Sequence, residues 1–369
     1  MPPAPFAIRC AVALAGDGLE GIDDATVVVD GMAIAASGEA ADVPVPEGAA
    51  VVDASGLTLI PGFVDTHVHI AFADPRDVLA GGVTTVRDLA WPPDEIWPLV
   101  SASDAFSFEG PSILAAGQML TTDGGYPTRA RWAPRGTGRI VHTSRDAAGA
   151  VAEQADAGAS VIKIALNAEV GPTFNDDVLD AIVVAAHQRG LKVTGHVFGL
   201  AELRKALATG VDELAHMLLS PEPLPDDVVD AMVDAGMTVV PTLSIFFDDA
   251  QDIAIANTRR FVEAGGRVVY GTDLGNAGPQ PGIDAREISA LMRAGMSGID
   301  IIRAGTVDAC SWLGLSDRGM IAPGMRADLV AVGGDPRTDP MTLTDVRMVW
   351  RAGRALSNVR PGEPRRSRP

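Results

Sequence analysis

The chain has 369 residues, a formal net charge of −19 at pH 7 and a hydrophobic fraction of 47%. This length and composition suffice for a large core, whereas the negative charge argues against nucleic acid and anionic membrane surfaces as partners. Apolar runs fall short of the roughly 18 residues that a membrane span needs, and two cysteines exclude a disulfide framework.

The apolar stretch at 6–15 carries Arg9 in its middle and is followed by a Gly-Asp-Gly turn. These features predict a strand rather than a secretory signal, so we expect a cytoplasmic protein. Short apolar runs separated by turn residues continue up to residue 60, and two more lie near the other end, at 327–332 and 346–350.

Neither end of the chain holds enough strands for a domain of its own. We therefore predict that residues 1–60 and 318–359 together form one small β-sandwich domain. The Pro- and Arg-rich residues 360–369 predict a disordered tail.

Residues 61–317 alternate short apolar runs with helical patterns. Candidate strands lie at 62–68, 83–88, 112–118, 160–165, 192–197, 212–217, 238–242 and 267–272, and candidate helices at 146–157, 176–189, 200–209, 225–235, 250–265 and 283–294. This alternation predicts an α/β fold class, specifically a (β/α)8 TIM barrel. The connection at 70–81 barely has room for a full helix.

A Pro-Gly turn feeds an apolar stretch that ends in His67 and His69. In a strand, residues two apart project from the same face, so the two imidazoles lie side by side. This arrangement is a natural half of a metal site, although two surface histidines on an edge strand would give the same pattern.

Four further polar residues follow or lie in other candidate strands: Lys163, His196, His216 and Asp273. Each alone has an ordinary explanation, such as an edge lysine, a hydrogen-bonded histidine or a helix cap. In a barrel, however, functional side chains gather at the C-terminal strand ends. The set therefore favours a shared site with His67 and His69 over separate structural roles.

The chain resembles the amidohydrolase superfamily, and within it the imidazolonepropionase-like branch that includes binuclear-zinc dipeptidases. The resemblance rests on this ligand set and on three segments: Pro61-Gly62-Phe63-Val64-Asp65-Thr66-His67-Val68-His69, Ala80-Gly-Gly-Val-Thr-Thr-Val-Arg-Asp-Leu89, and Gly319-Met-Ile-Ala-Pro-Gly-Met-Arg-Ala-Asp-Leu-Val330. These motifs are specific for fold and metal chemistry and much less so for substrate.

The resemblance implies two metal ions per chain, Zn²⁺ with Mn²⁺, Fe²⁺ or Co²⁺ as alternatives. It assigns His67, His69 and Asp273 to one ion and His196 and His216 to the other. It also implies that Lys163, carboxylated by CO2, bridges both ions as a carbamate. A hydroxide between the ions would be the nucleophile, and Asp273 would act as general base and then acid.

The predicted substrate pocket is apolar, with arginines able to pair with a carboxylate. Its candidate residues are Trp91, Tyr126, Arg129, Arg131, Trp132 and Phe198. In the binuclear peptidases a tyrosine often occupies the position of Phe198, which cannot donate a hydrogen bond, so Tyr126 is the candidate for the missing hydroxyl. Each aromatic residue could instead simply pack a loop onto the barrel.

The leading functional hypothesis is hydrolysis of a C–N bond in a small-molecule amide, lactam, carbamate or peptide. A second is a one-metal deaminase or an imidazolonepropionase-like ring-opening enzyme, which is disfavoured by Lys163 and by Gly199 where a glutamate would follow His196. A lactonase or phosphotriesterase-like hydrolase and a non-catalytic scaffold are further alternatives. The acidic surface and the small β domain suggest a homo-oligomer.

Overall fold

The computed structural model describes residues 4–220 and 223–356. Its strands are β1 (Phe6–Ala15), β2 (Glu20–Asp30), β3 (Ala33–Glu39), β4 (Ala50–Pro61), β5 (Phe63–Val68), β6 (Val83–Asp88), β7 (Ser112–Ala115), β8 (Met119–Thr121), β9 (Gly138–Ile140), β10 (Ile162–Leu166), β11 (Val193–Val197), β12 (Glu213–Leu214), β13 (Thr238–Val239), β14 (Arg267–Val268), β15 (Leu329–Gly333), β16 (Val346–Arg351) and β17 (Arg354–Ala355).

The helices are α1 (Pro75–Ala80), α2 (Pro93–Ser103), α3 (Ser144–Asp156), α4 (Asp176–Gln188), α5 (Leu200–Thr209), α6 (Asp226–Asp234), α7 (Asp248–Glu263), α8 (Ala285–Arg293), α9 (Gly298–Ala304) and α10 (Val307–Leu313). Short 3₁₀ turns cover Ile70–Phe72, Leu243–Ile245 and Pro340–Thr344. Among the described residues, we find no helix with the length and hydropathy needed to cross a bilayer.

Strands from the two ends of the chain pair in one sheet, whose described order is β17-β16-β15-β4-β1-β2-β3. Strand β4 is its centre, parallel to β1 and antiparallel to β15. Ile8, Leu59 and Trp350 belong to a buried apolar cluster on one face of this sheet. The pairing of the two ends is thus observed, whereas the domain boundaries at 60/61 and 317/318 stay a prediction.

The middle of the chain forms parallel strands, in the orders β5-β6-β7 and β14-β13-β12-β11-β10-β8-β9. Backbone hydrogen bonds cross both gaps between these two sheets. Thr66 N donates to Tyr270 O over 3.0 Å, and Ser160 N donates to Ala115 O over 2.9 Å. The C-terminal ends of strands from both sheets consequently meet at one site.

Helix positions follow ordinary capping chemistry. In α4, the side chain of Asn175 accepts a hydrogen bond from Val178 N over 2.9 Å, and the apolar stripe that includes Leu179 and Ile182 is buried. Helix α1 has only six residues, as the short 70–81 connection predicts.

Two features differ from the sequence-based expectation. The single strand expected at 112–118 is divided into β7 and β8, because Gly117 lies between them with φ +73° in the left-handed region. Strands β12, β13 and β14 have only two residues each, shorter than the runs that predict them. The predicted tail at 360–369 lies outside the described residues.

Candidate metal centre

His67 and His69 lie at the end of β5 and point toward Asp273, which follows β14. The Nε2 atoms of the two imidazoles lie 3.2 and 3.3 Å from Oδ1 of Asp273. All three side chains are buried, and their candidate ligand atoms lie within 4.8 Å of one another. This trio has the composition of a divalent-metal site.

The other ring nitrogens fix how these imidazoles face the carboxylate. His67 Nδ1 lies 2.9 Å from Ala215 O and His69 Nδ1 lies 3.2 Å from Ala90 O, so each Nδ1–H donates to a carbonyl. Each Nε2 then directs a lone pair at Asp273, whose Oδ1 has no hydrogen-bond partner in the described chain. Two lone pairs facing an anionic oxygen repel each other unless a cation lies between them. The donor set therefore fits a metal ion.

A second pair of imidazoles adjoins this trio. His196, in β11, and His216, after β12, approach to 2.9 Å between Nδ1 and Nε2. His216 Nδ1 also lies 2.9 Å from Thr242 Oγ1 and 3.9 Å from Asp273 Oδ2. The rings of His67 and His216 have centroids 4.8 Å apart. The four imidazoles thus form one continuous cluster around Asp273.

Burial keeps these imidazoles neutral. Together with the positive charge of Lys163, it lowers the pKa of His69 to about 4. Burial likewise holds the pKa values of His67, His196 and His216 well below the ordinary value. A neutral imidazole is the form that binds metal ions.

Lys163, in β10, is buried beside the histidines. Its Nζ has no hydrogen-bond partner among the described residues. Burial lowers the pKa of Lys163 to about 7, against the opposing influence of Asp273 and Glu213. A substantial share of this lysine is therefore an uncharged amine at neutral pH, which is the form that can react with CO2.

Aromatic side chains cover two of the imidazoles. Tyr126 stacks on His196, with ring centroids 4.3 Å apart and planes 11° apart. Trp132 donates a hydrogen bond from Nε1 to the Tyr126 hydroxyl over 3.0 Å, and its ring lies 4.8 Å from that of His69. Both residues predicted to bind substrate thus contact metal-ligand candidates.

Phe198 lies on the other side of the cluster. Its ring stacks against His216 at 5.1 Å and meets His196 edge-on at 4.9 Å. Phe246 lies 6.2 Å beyond it, as a further apolar neighbour. Phe198, at the position that often carries a tyrosine in binuclear peptidases, therefore forms an apolar side of the site.

The remaining three residues predicted to bind substrate make no direct contact with the histidine cluster in the described structure. Trp91 is buried, donates to Glu95 Oε2 over 3.0 Å and packs against Phe72. Arg129 and Arg131 are exposed on the loop after β8, and neither forms an ion pair with any described residue. They stand near the site only through the loop that also carries Tyr126.

Comparison with known proteins decides the family. Residues 58–356 match the model of the amidohydrolase family. The chain belongs to the amidohydrolase family. The resemblance inferred from its motifs is thereby confirmed, and the members of this family are hydrolytic enzymes that generally use metal ions.

This amidohydrolase is similar to two relatives of known name. It is 33% identical to the imidazolonepropionase of Deinococcus deserti over 190 residues, which cover 49% of this chain and 45% of that protein. It is 24% identical to the ochratoxinase of Aspergillus niger, over 94% of this chain and 85% of that protein.

Solved structures share its fold. The ochratoxinase crystal structure superposes with a TM-score of 0.80 over 96% of both chains, at 22% identity. A Xaa-Pro dipeptidase with methionine in its active site superposes with a TM-score of 0.82, at 24% identity, over 96% of this chain and 100% of the other. At these identities the likeness establishes the fold.

A buried ion pair supports the amidohydrolase site from below. Arg87, in β6, donates from Nη2 to Glu213 Oε1 over 2.6 Å and from Nε to Thr66 O over 2.7 Å. Trp312 donates from Nε1 to the other oxygen of Glu213. The pair joins β5, β6 and β12 beneath the metal-ligand cluster.

Backbone strain marks the same site of the amidohydrolase. Asp273 has φ 56° and Thr242 has φ 47°, values that residues other than glycine rarely adopt. Asp273 N donates to His67 O over 2.7 Å, which holds the strained residue against the histidine strand. Such strain concentrates at functional sites.

The sequence reasoning missed two polar neighbours of the second histidine pair. Thr242 contacts His216, and the Asn167 side-chain amide lies 3.5 Å from His196 Nε2. Asn167 directly follows β10, so its place one residue past a strand that already carries Lys163 was an available signal. Thr242 gave no such signal, because the Pro-Thr-Leu segment around it does not resemble a metal-binding or catalytic motif.

Proposed function

We propose that this amidohydrolase is a binuclear metal-dependent hydrolase that cleaves a C–N bond in a small-molecule amide, lactam, carbamate or peptide. The observation that carries the proposal is the gathering of four neutral imidazoles, one carboxylate and one buried lysine. We place this site at the C-terminal strand ends of a closed (β/α)8 barrel, which the hydrogen bonds across both sheet gaps support.

His67, His69 and Asp273 would hold one ion, and His196 and His216 the other. Lys163 would bridge them as a carbamate, because an amine offers no anionic oxygen whereas a carbamate offers two. Zn²⁺ suits these donors, with Mn²⁺, Fe²⁺ or Co²⁺ as alternatives. When bound, such ions polarise a carbonyl and lower the pKa of water toward neutrality.

Asp273 is the residue that we assign to proton transfer. Burial raises the pKa of Asp273 above its ordinary value, against the influence of Lys163, which favours proton uptake by this carboxylate. Asp273 would accept the proton of the attacking water and deliver it to the departing nitrogen.

Tyr126 is the candidate for a direct contact to substrate. Its hydroxyl oxygen accepts a hydrogen bond from Trp132, which leaves its own O–H to donate toward a carbonyl oxygen. Burial raises the pKa of Tyr126 well above its ordinary value, so the hydroxyl stays protonated at working pH. This donor would replace the one that Phe198 cannot supply.

Preference for a C–N bond rests on the relatives. An imidazolonepropionase and a Xaa-Pro dipeptidase both act on bonds to nitrogen by their names, and both resemble this chain. A lactonase or phosphotriesterase-like activity would use the same ligands, so a substrate panel should pair each amide with its ester.

A one-metal enzyme is the second candidate, and one observation favours it. His67, His69 and Asp273 form a compact donor group, whereas His196 and His216 face each other across 2.9 Å. In a one-metal site the second pair would hold substrate or water instead of an ion.

Metal content per chain tests the choice. We would compare wild type with Lys163→Met, using Lys205→Met as the matched control because Lys205 pairs with Asp176 at the surface. The proposal expects about two ions in wild type and in K205M, and a clear loss in K163M. About one ion in all three proteins would reject the binuclear site and favour deamination or ring opening.

A further inference from the structure

A cavity of about 460 Å³ lies between the small sheet and the N-terminal halves of β6 and β7. Thr85 and Ser112 line it from the parallel strands, and Ala33 lines it from β3. Thr85 precedes Asp88, at the metal-centre end of β6, by three residues, which corresponds to roughly 10 Å along a strand. None of the metal-ligand candidates lines this cavity.

Three arginines converge on the cavity: Arg318, Arg326 and Arg351. In the described part of the chain, only two carboxylates lie within 4.0 Å of their guanidinium groups. Asp317 takes two hydrogen bonds from Arg318, at 2.8 and 2.9 Å. Asp328 lies 3.1 Å from Arg326 Nε and 3.9 Å from Arg318 Nη1. One positive charge is therefore left without a counter-ion.

Arg351 is the arginine left over. It is 8% exposed and forms no ion pair with any residue that the structure describes. Its Nη2 donates to Ser103 O and, over 3.3 Å, to Ser112 Oγ, both of them uncharged acceptors. Its Nε finds no hydrogen-bond acceptor within the described residues.

A buried guanidinium without a counter-ion is costly. The cost is visible in Arg351, because burial and the charge of Arg326 lower the pKa of Arg351 to about 10. Asp328, which is paired with Arg326, and Asp104, which is exposed at the rim, act on Arg351 only from beyond ion-pair distance. An anion bound inside the cavity would satisfy both the charge and the free Nε–H of Arg351.

We propose that this cavity binds a small organic monoanion whose carboxylate pairs with Arg351 and Arg326. The rest of the molecule lies along the apolar lining of Phe106, Ile113 and Leu315. A carboxylate fits better than a phosphate ester, because a single charge is unmatched and a phosphate carries nearly two at neutral pH.

The site would be coupled to the metal centre through β6. Arg318 Nη1 lies 3.4 Å from Thr85 Oγ1, and Arg87, two residues further along the same strand, holds Glu213 beneath Lys163. An occupant of the cavity would thus contact the strand that positions the buried ion pair.

Calorimetric titration of the metal-loaded protein with hexanoate tests the proposal, with inorganic phosphate as a second probe at equal ionic strength. Arg351→Met removes the unmatched guanidinium. Arg354→Met is the matched control, since Arg354 lies on the adjoining strand, pairs with Glu109 and does not line this cavity. We expect hexanoate to bind wild type and R354M alike, and R351M about tenfold or more weakly.

Equal affinity of hexanoate for R351M and wild type would overturn the proposal, because binding would then occur elsewhere, as at the metal centre. Tighter binding of phosphate than of hexanoate would overturn the carboxylate assignment. Should R351M fail to fold, Arg351→Lys keeps the charge but loses the planar fork. R351K is expected to bind hexanoate more weakly than wild type, and unchanged affinity there would refute recognition by the guanidinium.

Discussion

Breaking the ion pair between Arg87 and Glu213 on one side should cost several kilocalories per mole of stability. Both side chains are about 1% exposed, so water cannot screen either charge. Glu213→Gln keeps the shape but leaves the guanidinium of Arg87 buried without a counter-ion. Breaking a buried pair in this way costs about 3–5 kcal/mol. Urea unfolding of the metal-loaded protein, followed by circular dichroism, measures that loss.

A surface pair provides the matched control for this variant. Asp156 and Arg189 lie 2.9 Å apart with side chains 73% and 40% exposed, so Asp156→Asn should cost at most about 1 kcal/mol. Adding Arg87→Met to E213Q removes the unpaired charge and should restore part of the stability. If E213Q loses no more stability than D156N, the buried pair does not hold the base of the site as argued.

Three further outcomes are expected. Tyr126→Phe should lower kcat about tenfold or more and leave KM nearly unchanged, because the ring still stacks on His196 while the O–H donor is lost. A raised KM with an unchanged kcat would contradict this role. Chelation by EDTA should lower the melting temperature and added zinc should restore it, because the ions bind the folded state; an unchanged melting temperature would contradict metal binding. Burial raises the pKa of Glu287 from 4.5 to about 8, so this group favours folding below pH 4.5 and that contribution is lost as pH rises through 8. Glu287→Gln cannot ionise and should therefore resist urea better than wild type above pH 8 and equally below about pH 4, and parallel pH profiles for the two proteins would refute the assignment.

The pattern of apolar residues in the sequence predicted those strands and helices whose formation depends mainly on which side chains are buried. The apolar run that ends at a Gly-Asp-Gly turn marks β1, and the apolar stripe marks α4. The break between β7 and β8 escaped prediction, because it depends on the backbone of Gly117 within a run of suitable strand residues. Helix α2 escaped as well, since it contains Pro98 and begins at Pro93, directly after Pro92.

The candidate site was predicted from chemistry and placed by topology. The one-residue spacing identified His67 and His69 as candidates, and apolar neighbours identified Lys163. Their mutual distances depend on which strand ends meet, and no local pattern contains that information. The αL backbone of Asp273 is similarly a property of the assembled fold, because tertiary hydrogen bonds such as Asp273 N to His67 O maintain it.

The central strand of the small sheet carries a consequence for how the chain is made on the ribosome. Thr58 Oγ1, in β4, donates to Gly334 O over 2.7 Å, across a sequence separation of 276 residues. At typical synthesis rates the ribosome needs roughly 14–55 s to cover that distance. During this time the edge of β4 that later receives β15 has no partner strand from its own chain. An exposed edge of this kind is a hazard for aggregation, so a chain that stops before β15 should depend on chaperones far more than the complete one.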